Sequence, residues 1–121
     1  MVRAVRGATT VSENSEQEII NQTKFMLQSI IEQNEIKLDD IISVYFSVTT
    51  DLDTVFPAKG ARELGWTNIP LLDSVSPNVK GSLDKCIRVM LHFNTDKTNN
   101  QIKHIYLNDA VKLRPDLIQK I

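Results

Sequence analysis

The chain has 121 residues, of which 41% are hydrophobic and 24% charged, a length and composition that exclude a disordered or low-complexity protein. Its 14 Lys and Arg residues nearly balance 15 Asp and Glu residues, and this formal net charge of −1 indicates neither a nucleic-acid-binding nor a membrane-surface protein. The single cysteine, Cys86, excludes an intrachain disulfide and a cysteine-rich zinc site.

The N-terminal third is predicted to form a strand and a long helix. Residues 2–11 alternate with a period of two, which places Arg6 on a face of small and apolar side chains. Ser15 and Glu18 have the spacing of a capping box, and apolar residues then recur at helical spacing to about residue 33. A strand followed by an amphipathic helix is therefore expected.

A second strand and a short helix are predicted next. Residues 41–49 are rich in β-branched and aromatic side chains, which is typical of a strand inside a sheet. Asp51 and Asp53 are candidate caps of a short helix that carries Pro57 in its first turn and ends at Gly65.

The second half alternates strands with loops. Residues 69–72 are predicted as a short strand, and residues 73–82 as an exposed loop of the kind that often carries function. Residues 86–93 alternate strictly, which places Arg88 on the face opposite the core. A short polar helix and a brief strand are expected within residues 98–107. Without a regular βαβ rhythm, the elements predict one α+β domain over residues 1–121.

A cytoplasmic location is expected. The N-terminal segment carries charges where a signal peptide has its apolar stretch, and the longest apolar-leaning run is too short to span a bilayer.

The familiar catalytic motifs are missing from the sequence. It contains no phosphate-binding glycine loop, nucleophile elbow or metalloprotease helix. We interpret His92 and His104 as ordinary surface or edge residues, and Cys86 as a buried, inert thiol. The unusual feature is arginine on strands, at Arg6 and Arg88, flanked at alternate positions by small or apolar side chains. Each arginine binds an anion, forms a structural ion pair with an acidic residue, or lies at an edge where its long side chain reaches water.

The chain resembles the AroH-type, monofunctional chorismate mutases in motifs that cover nearly its whole length. In order, these are Arg6-Gly7-Ala8-Thr9-Thr10, Thr50-Asp51-Leu52-Asp53, Phe56-Pro57-Ala58-Lys59, Ala61-Arg62, Gly65-Trp66, Gly81-Ser82-Leu83, Cys86-Ile87-Arg88-Val89-Met90, Asn94-Thr95-Asp96, His104-Ile105-Tyr106-Leu107 and Leu113-Arg114-Pro115-Asp116-Leu117.

This resemblance implies an α+β, pseudo α/β-barrel homotrimer with one long and one or two short helices in each subunit, and with active sites in clefts between neighbouring subunits. The implied reaction is the Claisen rearrangement of chorismate to prephenate, at the branch leading to phenylalanine and tyrosine. No metal or organic cofactor is implied, and neither nucleic acid nor membrane is an expected partner. A rearrangement within one molecule needs positioning and charge rather than an acid, a base or a nucleophile.

The resemblance also assigns roles to individual residues. Arg88 corresponds to the arginine that meets the ether oxygen of the breaking bond and a carboxylate, and Arg6 to the one that holds a carboxylate. Tyr106 corresponds to a tyrosine that hydrogen-bonds a carboxylate. The neighbouring subunit is expected to present the wall and rim of the cleft, and a second segment to line its other side. The implied substrate-binding residues besides these three are Phe56, Lys59, Arg62, Leu72, Asp73, Ser74, Val75, Ser76 and Arg114.

The loop at residues 73–82 departs from the family pattern. The family usually carries a glutamate at the position of Ser76, where it accepts a hydrogen bond from the ring hydroxyl of the substrate, and a cysteine or serine at the position of Asp73. Either Asp73 replaces the missing carboxylate, or it caps the turn that begins the loop.

Two other functions remain alternatives. The changed loop is compatible with a non-catalytic trimeric module that binds chorismate or another small carboxylate. The structurally similar enamine deaminases also place arginine in a cleft between subunits, but the order of motifs disfavours them.

Overall fold

The computed structural model describes residues 1–113, and Arg114, predicted to bind substrate, lies outside them. Five strands form one sheet: β1 (Val2–Thr10), β2 (Ile41–Val48), β3 (Leu71–Val75), β4 (Cys86–Asn94) and β5 (Ile105–Tyr106). There are two α-helices among the described residues, α1 (Glu16–Asn34) and α2 (Ala58–Glu63). Short 3-10 turns occupy Leu38–Asp40, Asn99–Gln101 and Asn108–Lys112, and of these only Asn99–Gln101 lies where a short helix is predicted.

The sheet is mixed and has the order β3-β2-β4-β1-β5. Strand β4 pairs antiparallel with β1 and β2, while β3 pairs parallel with β2 and β5 parallel with β1. This arrangement confirms the predicted α+β class.

The two faces of the sheet have different environments. One face packs against the helices around fully buried residues such as Val5, Leu91 and Phe93. Helix α1 approaches β1 so closely that a Cβ added to Gly7 would lie 2.8 Å from Ile30 Cδ1. The alternate residues face the other way, on a surface that we call the open face, which carries Arg6.

The open face is not covered by the helices, and it is apolar. Among the described residues it exposes large side chains, including Val2, Tyr45, Leu72 and Met90. Water contacts these side chains in a single chain, which is unusual for a contiguous surface of this kind and typical of a protein interface.

Helix α1 begins as predicted, but only one of the two hydrogen bonds of the predicted capping box is present. Ser15 Oγ accepts a hydrogen bond from Glu18 N at 3.2 Å. The Glu18 carboxylate does not accept from the backbone N–H of Ser15, as a capping box requires. It accepts instead from the backbone N–H and the hydroxyl of Ser12.

Helix α2 ends where the sequence predicts and begins differently. Gly65 has a φ of +90°, and its N–H and that of Trp66 donate to the last carbonyls of the helix, which forms a Schellman cap. Neither predicted N-terminal cap is correct. Asp51 accepts from Lys85 N, and Asp53 from Asn14 Nδ2, because both precede the helix by several residues and face other segments.

Strand β3 lies further along the chain than predicted. The predicted strand at residues 69–72 is shifted to Leu71–Val75, so that residues 73–75 belong to the sheet and not to the predicted loop. Backbone pairing with β2 extends to Ser76, whose N–H donates to Val48 O at 2.7 Å. Parallel pairing with β2 overrides the turn propensity of Asp73 and Ser74.

No helix within residues 1–113 is long and apolar enough to cross a membrane. The cytoplasmic location and the single domain over residues 1–121 stay predictions.

Asn34 is a polar residue that joins α1 to the segment before β5. Its buried amide donates to Ile30 O and Lys103 O and accepts from Lys103 N, at 2.7–3.0 Å. We predict that Asn34→Ala lowers the free energy of unfolding by about 2 kcal/mol, since the Lys103 backbone groups lose their partners. Chemical denaturation at a matched protein concentration measures this. The exposed Asn100→Ala control should change it by no more than about 0.5 kcal/mol, and an equal effect of both variants would contradict the prediction.

Candidate active site

Three neighbouring strands bring Arg6, Arg88 and Tyr106 to one pocket. Ala8 on β1 pairs with Arg88 on β4 and, on its other side, with Tyr106 on β5. Arg6 pairs with Met90, so Arg6 and Arg88 are diagonal neighbours, about 7–8 Å apart at the backbone. The pocket has a volume of about 190 Å³, and its lining is completed by Gly7, Ala8, Val89 and Leu113.

Carboxylates do not neutralise these arginines within the described residues. The ion pairs found in residues 1–113 are all made by lysines, namely Lys24–Glu63, Lys59–Glu16 and Lys97–Glu35. The structural ion pair that the sequence left open is thus absent for Arg6 and Arg88 in this part of the chain. Two permanently charged guanidiniums that line one pocket repel each other, and an anion between them relieves that repulsion.

Cys86 lies beside Arg88 and has the properties of an inert thiol. Its side chain is fully buried, which confirms the prediction. Burial raises the pKa of the thiol, and the Arg88 guanidinium, which contacts it, opposes that rise. The neutral thiol packs below Arg88 in a small cluster with Ala8 and Tyr106.

The edge strand that carries Tyr106 is fixed to β1 by a side chain as well as by backbone pairing. Arg6 N donates to His104 Nδ1 at 2.9 Å, directly before the pairing of Gly7 with Ile105. Tyr106 itself is buried. His104 therefore has a structural role at the edge of the sheet, in agreement with its interpretation as an edge residue.

A second pocket of about 400 Å³ lies on the helix side of β3. Its walls are largely apolar, and it is lined by Val48, Leu52, Asp53, Thr54, Val55, Phe56, Pro57, Asp73, Ser74 and Val75. Phe56 and Val75 are exposed there. Within one chain, the structure does not bring Phe56 and Val75 to Arg6 and Arg88.

The remaining predicted binding residues lie on α2 and β3, outside the arginine pocket. Lys59 Nζ pairs with the Glu16 carboxylate at 2.5 Å, and this hydrogen bond and charge raise the pKa of Lys59. Arg62 is exposed on α2. Leu72 lies on the open face, and the Ser74 hydroxyl donates to Phe46 O at 2.9 Å.

Asp73 holds the first turn of α2. Its carboxylate accepts a hydrogen bond from Ala58 N at 3.1 Å. Burial raises the pKa of Asp73, while this hydrogen bond and the nearby charge of Arg62 act in the opposite direction. Asp73 is thus a cap, as one interpretation of the sequence proposed, but it caps the preceding helix rather than the turn of its own loop.

Ser76 faces the sheet instead of the solvent. It is 6% exposed, and its hydroxyl is hydrogen-bonded to the hydroxyl of Ser47. Ser47 pairs with Arg88 across β2 and β4, so a pair of neutral hydroxyls adjoins the arginine site. Sequence reasoning missed Ser47, because serine in a strand has no local signal that distinguishes it from an ordinary polar residue.

Comparisons with known proteins point to one family. A family model described as chorismate mutase type I matches residues 2–117. The chain is 48% identical over 118 residues to chorismate mutase AroH of Bacillus subtilis (strain 168), covering 97% of this chain and 93% of that protein. It is 42% identical to chorismate mutase AroH of Thermus thermophilus, covering 97% of each. The solved structure of a chorismate mutase from Clostridium thermocellum superposes with a TM-score of 0.88 at 53% identity, covering 89% of this chain and 96% of that one.

The hydrogen bond from Ala58 N to the Asp73 carboxylate predicts that two substitutions of Asp73 change the free energy of unfolding by different amounts. Asp73→Ala removes the acceptor and should lower the free energy of unfolding by about 1 kcal/mol. Asp73→Asn keeps an acceptor oxygen and should change it by no more than about 0.5 kcal/mol at neutral pH. Denaturation at matched concentration measures both, with the exposed Asp96→Ala as the control.

The pH dependence of the same variants has a defined sign. The pKa of Asp73 is raised in the folded state, so the folded chain binds more protons than the unfolded chain between the two pKa values. Stability of the wild type should therefore rise relative to Asp73→Asn as the pH is lowered from neutral through the folded pKa. A relative loss of stability on acidification would contradict this assignment.

Proposed function

This chain belongs to the type I chorismate mutase family, and from that premise we propose that the pocket between Arg6 and Arg88 binds chorismate while it rearranges to prephenate. The observation that carries this proposal is the pair of arginines without carboxylate partners in the described residues, on one pocket with Tyr106. Such a site attracts a carboxylate-bearing substrate and offers no nucleophile.

The reaction needs positive charge and a fixed position for the substrate, and this pocket can supply both. The rearrangement breaks a C–O bond and forms a C–C bond within one molecule, so no proton leaves or enters the substrate. Negative charge develops on the ether oxygen, and the planar guanidinium of Arg88 can donate to that oxygen and to a carboxylate together. We assign the carboxylates to Arg6 and Tyr106, which would keep the substrate in its compact reactive conformation.

We propose that a neighbouring subunit completes the site. The second pocket, with Phe56 and Val75, lies on the other side of the sheet from Arg88, so one chain cannot enclose a substrate with both halves. The exposed apolar open face supports assembly, because a second copy of the chain would remove it from water. A closed homotrimer is the arrangement that the resemblance implies, and it makes each cleft from two copies.

The loop that departs from the family pattern is compatible with catalysis at this site. Ser76 and Ser47 offer hydroxyl oxygens beside Arg88, and these can accept a hydrogen bond from the ring hydroxyl of the substrate. Asp73, whose carboxylate binds Ala58 N, is less available for that role. We therefore favour the neutral serine pair over Asp73 as the acceptor in this chain.

The first test is a substitution of the arginine assigned to the transition state. Arg88→Ala should lower kcat by about 10²–10³, the range for one lost transition-state donor. Arg88→Lys should recover little of the rate, since an ammonium cannot reach two oxygens in one plane.

The wild-type rate should be nearly flat over neutral pH, because arginine does not titrate there. Loss of chorismate absorbance measures the rates, and binding without turnover by the wild type would favour the non-catalytic alternative.

The second test concerns assembly. We predict that native mass spectrometry finds a trimer, and that Tyr45→Asp disrupts it by placing a charge on the open face. Tyr45 is 49% exposed in a single chain. Phe25→Asp is the matched control, because Phe25 on α1 is 56% exposed but does not lie on the open face, and this variant should stay trimeric. A stable monomer with full activity would contradict the site between subunits.

A further inference from the structure

The turn before β4 is held by a cluster of hydrogen bonds outside the substrate pocket. Lys85 has a φ of 48°, in the left-handed region that residues with a Cβ rarely adopt. Its N–H donates to both carboxylate oxygens of Asp51, at 3.0 and 3.3 Å. The carbonyl of Lys85 accepts from Val11 N at 3.0 Å. One residue in an unfavourable conformation is thus tied to two other segments of the chain.

The next residue is tied to the same segment. Cys86 N donates to Thr49 Oγ1 at 3.0 Å, and Cys86 O accepts from Thr49 N at 3.1 Å. The Thr49 hydroxyl in turn donates to the Asp51 carboxylate. Asp51 therefore joins the backbone of Lys85 to the hydroxyl that binds the backbone of Cys86.

This cluster determines where β4 begins relative to β1 and β2. Arg88 is two residues beyond Cys86 and lies on the same face of the strand, because side chains alternate. A change in the conformation of Lys85 would displace the start of the strand and move the Arg88 guanidinium. A displacement of about 1 Å at a reacting group can cost about 10²-fold in rate.

We infer that Asp51 is a positioning residue, which holds Lys85 in its left-handed conformation and thereby fixes Arg88 for the reaction. The inference rests on the proposed function of Arg88. Asp51 is exposed and does not line the arginine pocket, so it acts through the backbone of Lys85 and Cys86 and not on the substrate.

The test compares Asp51→Ala, Asp51→Asn and Asp51→Ala combined with Lys85→Gly. Asp51→Ala should lower kcat by about tenfold and change KM by less than about twofold, because Arg6 and Tyr106 still bind the substrate. Asp51→Asn should recover part of the loss, since its amide oxygen accepts one hydrogen bond. Lys85→Gly should restore most of kcat in the Asp51→Ala background, because glycine adopts a positive φ without steric cost.

Asp84→Ala is the matched control. Asp84 is an exposed acidic residue next to Lys85, and the structure gives it no hydrogen bond. Its removal deletes a negative charge from the same turn and leaves the cluster intact, so kcat should change by less than about twofold. If Asp84→Ala lowered kcat as much as Asp51→Ala does, the loss of a negative charge, and not positioning by Asp51, would explain both effects.

Amide hydrogen exchange separates this inference from the proposed function. Exchange at Lys85 and Cys86 should become at least about tenfold faster in Asp51→Ala, and in Asp51→Asn to a smaller extent. Full kcat in Asp51→Ala, or a loss that Lys85→Gly does not reverse, would overturn the inference while an active wild type upholds the proposed function. An inactive wild type would overturn the proposed function. In that case, unchanged amide exchange at Lys85 and Cys86 in Asp51→Ala would also overturn the role of Asp51.

Discussion

The candidate site depends on two permanent positive charges, those of Arg6 and Arg88, held on one face of the sheet. Arg6 and Arg88 are diagonal neighbours on β1 and β4, and within the described residues no carboxylate pairs with either. A guanidinium keeps its proton, so this site can reach a low free energy only by binding an anion or by exposure to water. The same property suits a reaction that requires charge stabilisation and no proton transfer.

The one-sided packing of the sheet explains how this site is exposed and yet can be enclosed. Helix α1 covers the face that carries Val5 and Leu91, and the other face presents the arginines together with apolar side chains such as Tyr45 and Met90. Apolar surface of this kind is more stable when it is covered by another copy of the chain, and a cover would also exclude water from the charges. The assembly that we propose and the electrostatic strength of the site thus depend on the same surface.

Two side chains fix the backbone next to the arginines, and a third fixes the start of helix α2. His104 joins β5 to β1 at Arg6, and Asp51 binds the turn that precedes Arg88. Asp73 holds the first turn of α2, which follows Phe56. These three side chains bind backbone N–H groups, and none of them is among the described residues that line the arginine pocket.

Local pattern was sufficient to predict much of this molecule. The period of two in β1 and β4 predicted which residues share a face with Arg6 and with Arg88, and the motif order predicted the family. The sequence did not predict the bond of Asp73 to Ala58 or the pairing of Ser47 with Arg88 and Ser76. These contacts join segments that are distant along the chain, and their register depends on how whole strands pair rather than on any local preference. Tertiary structure alone decided them, as it decided that β3 would begin at Leu71, where pairing with β2 outweighed the turn-forming residues that follow.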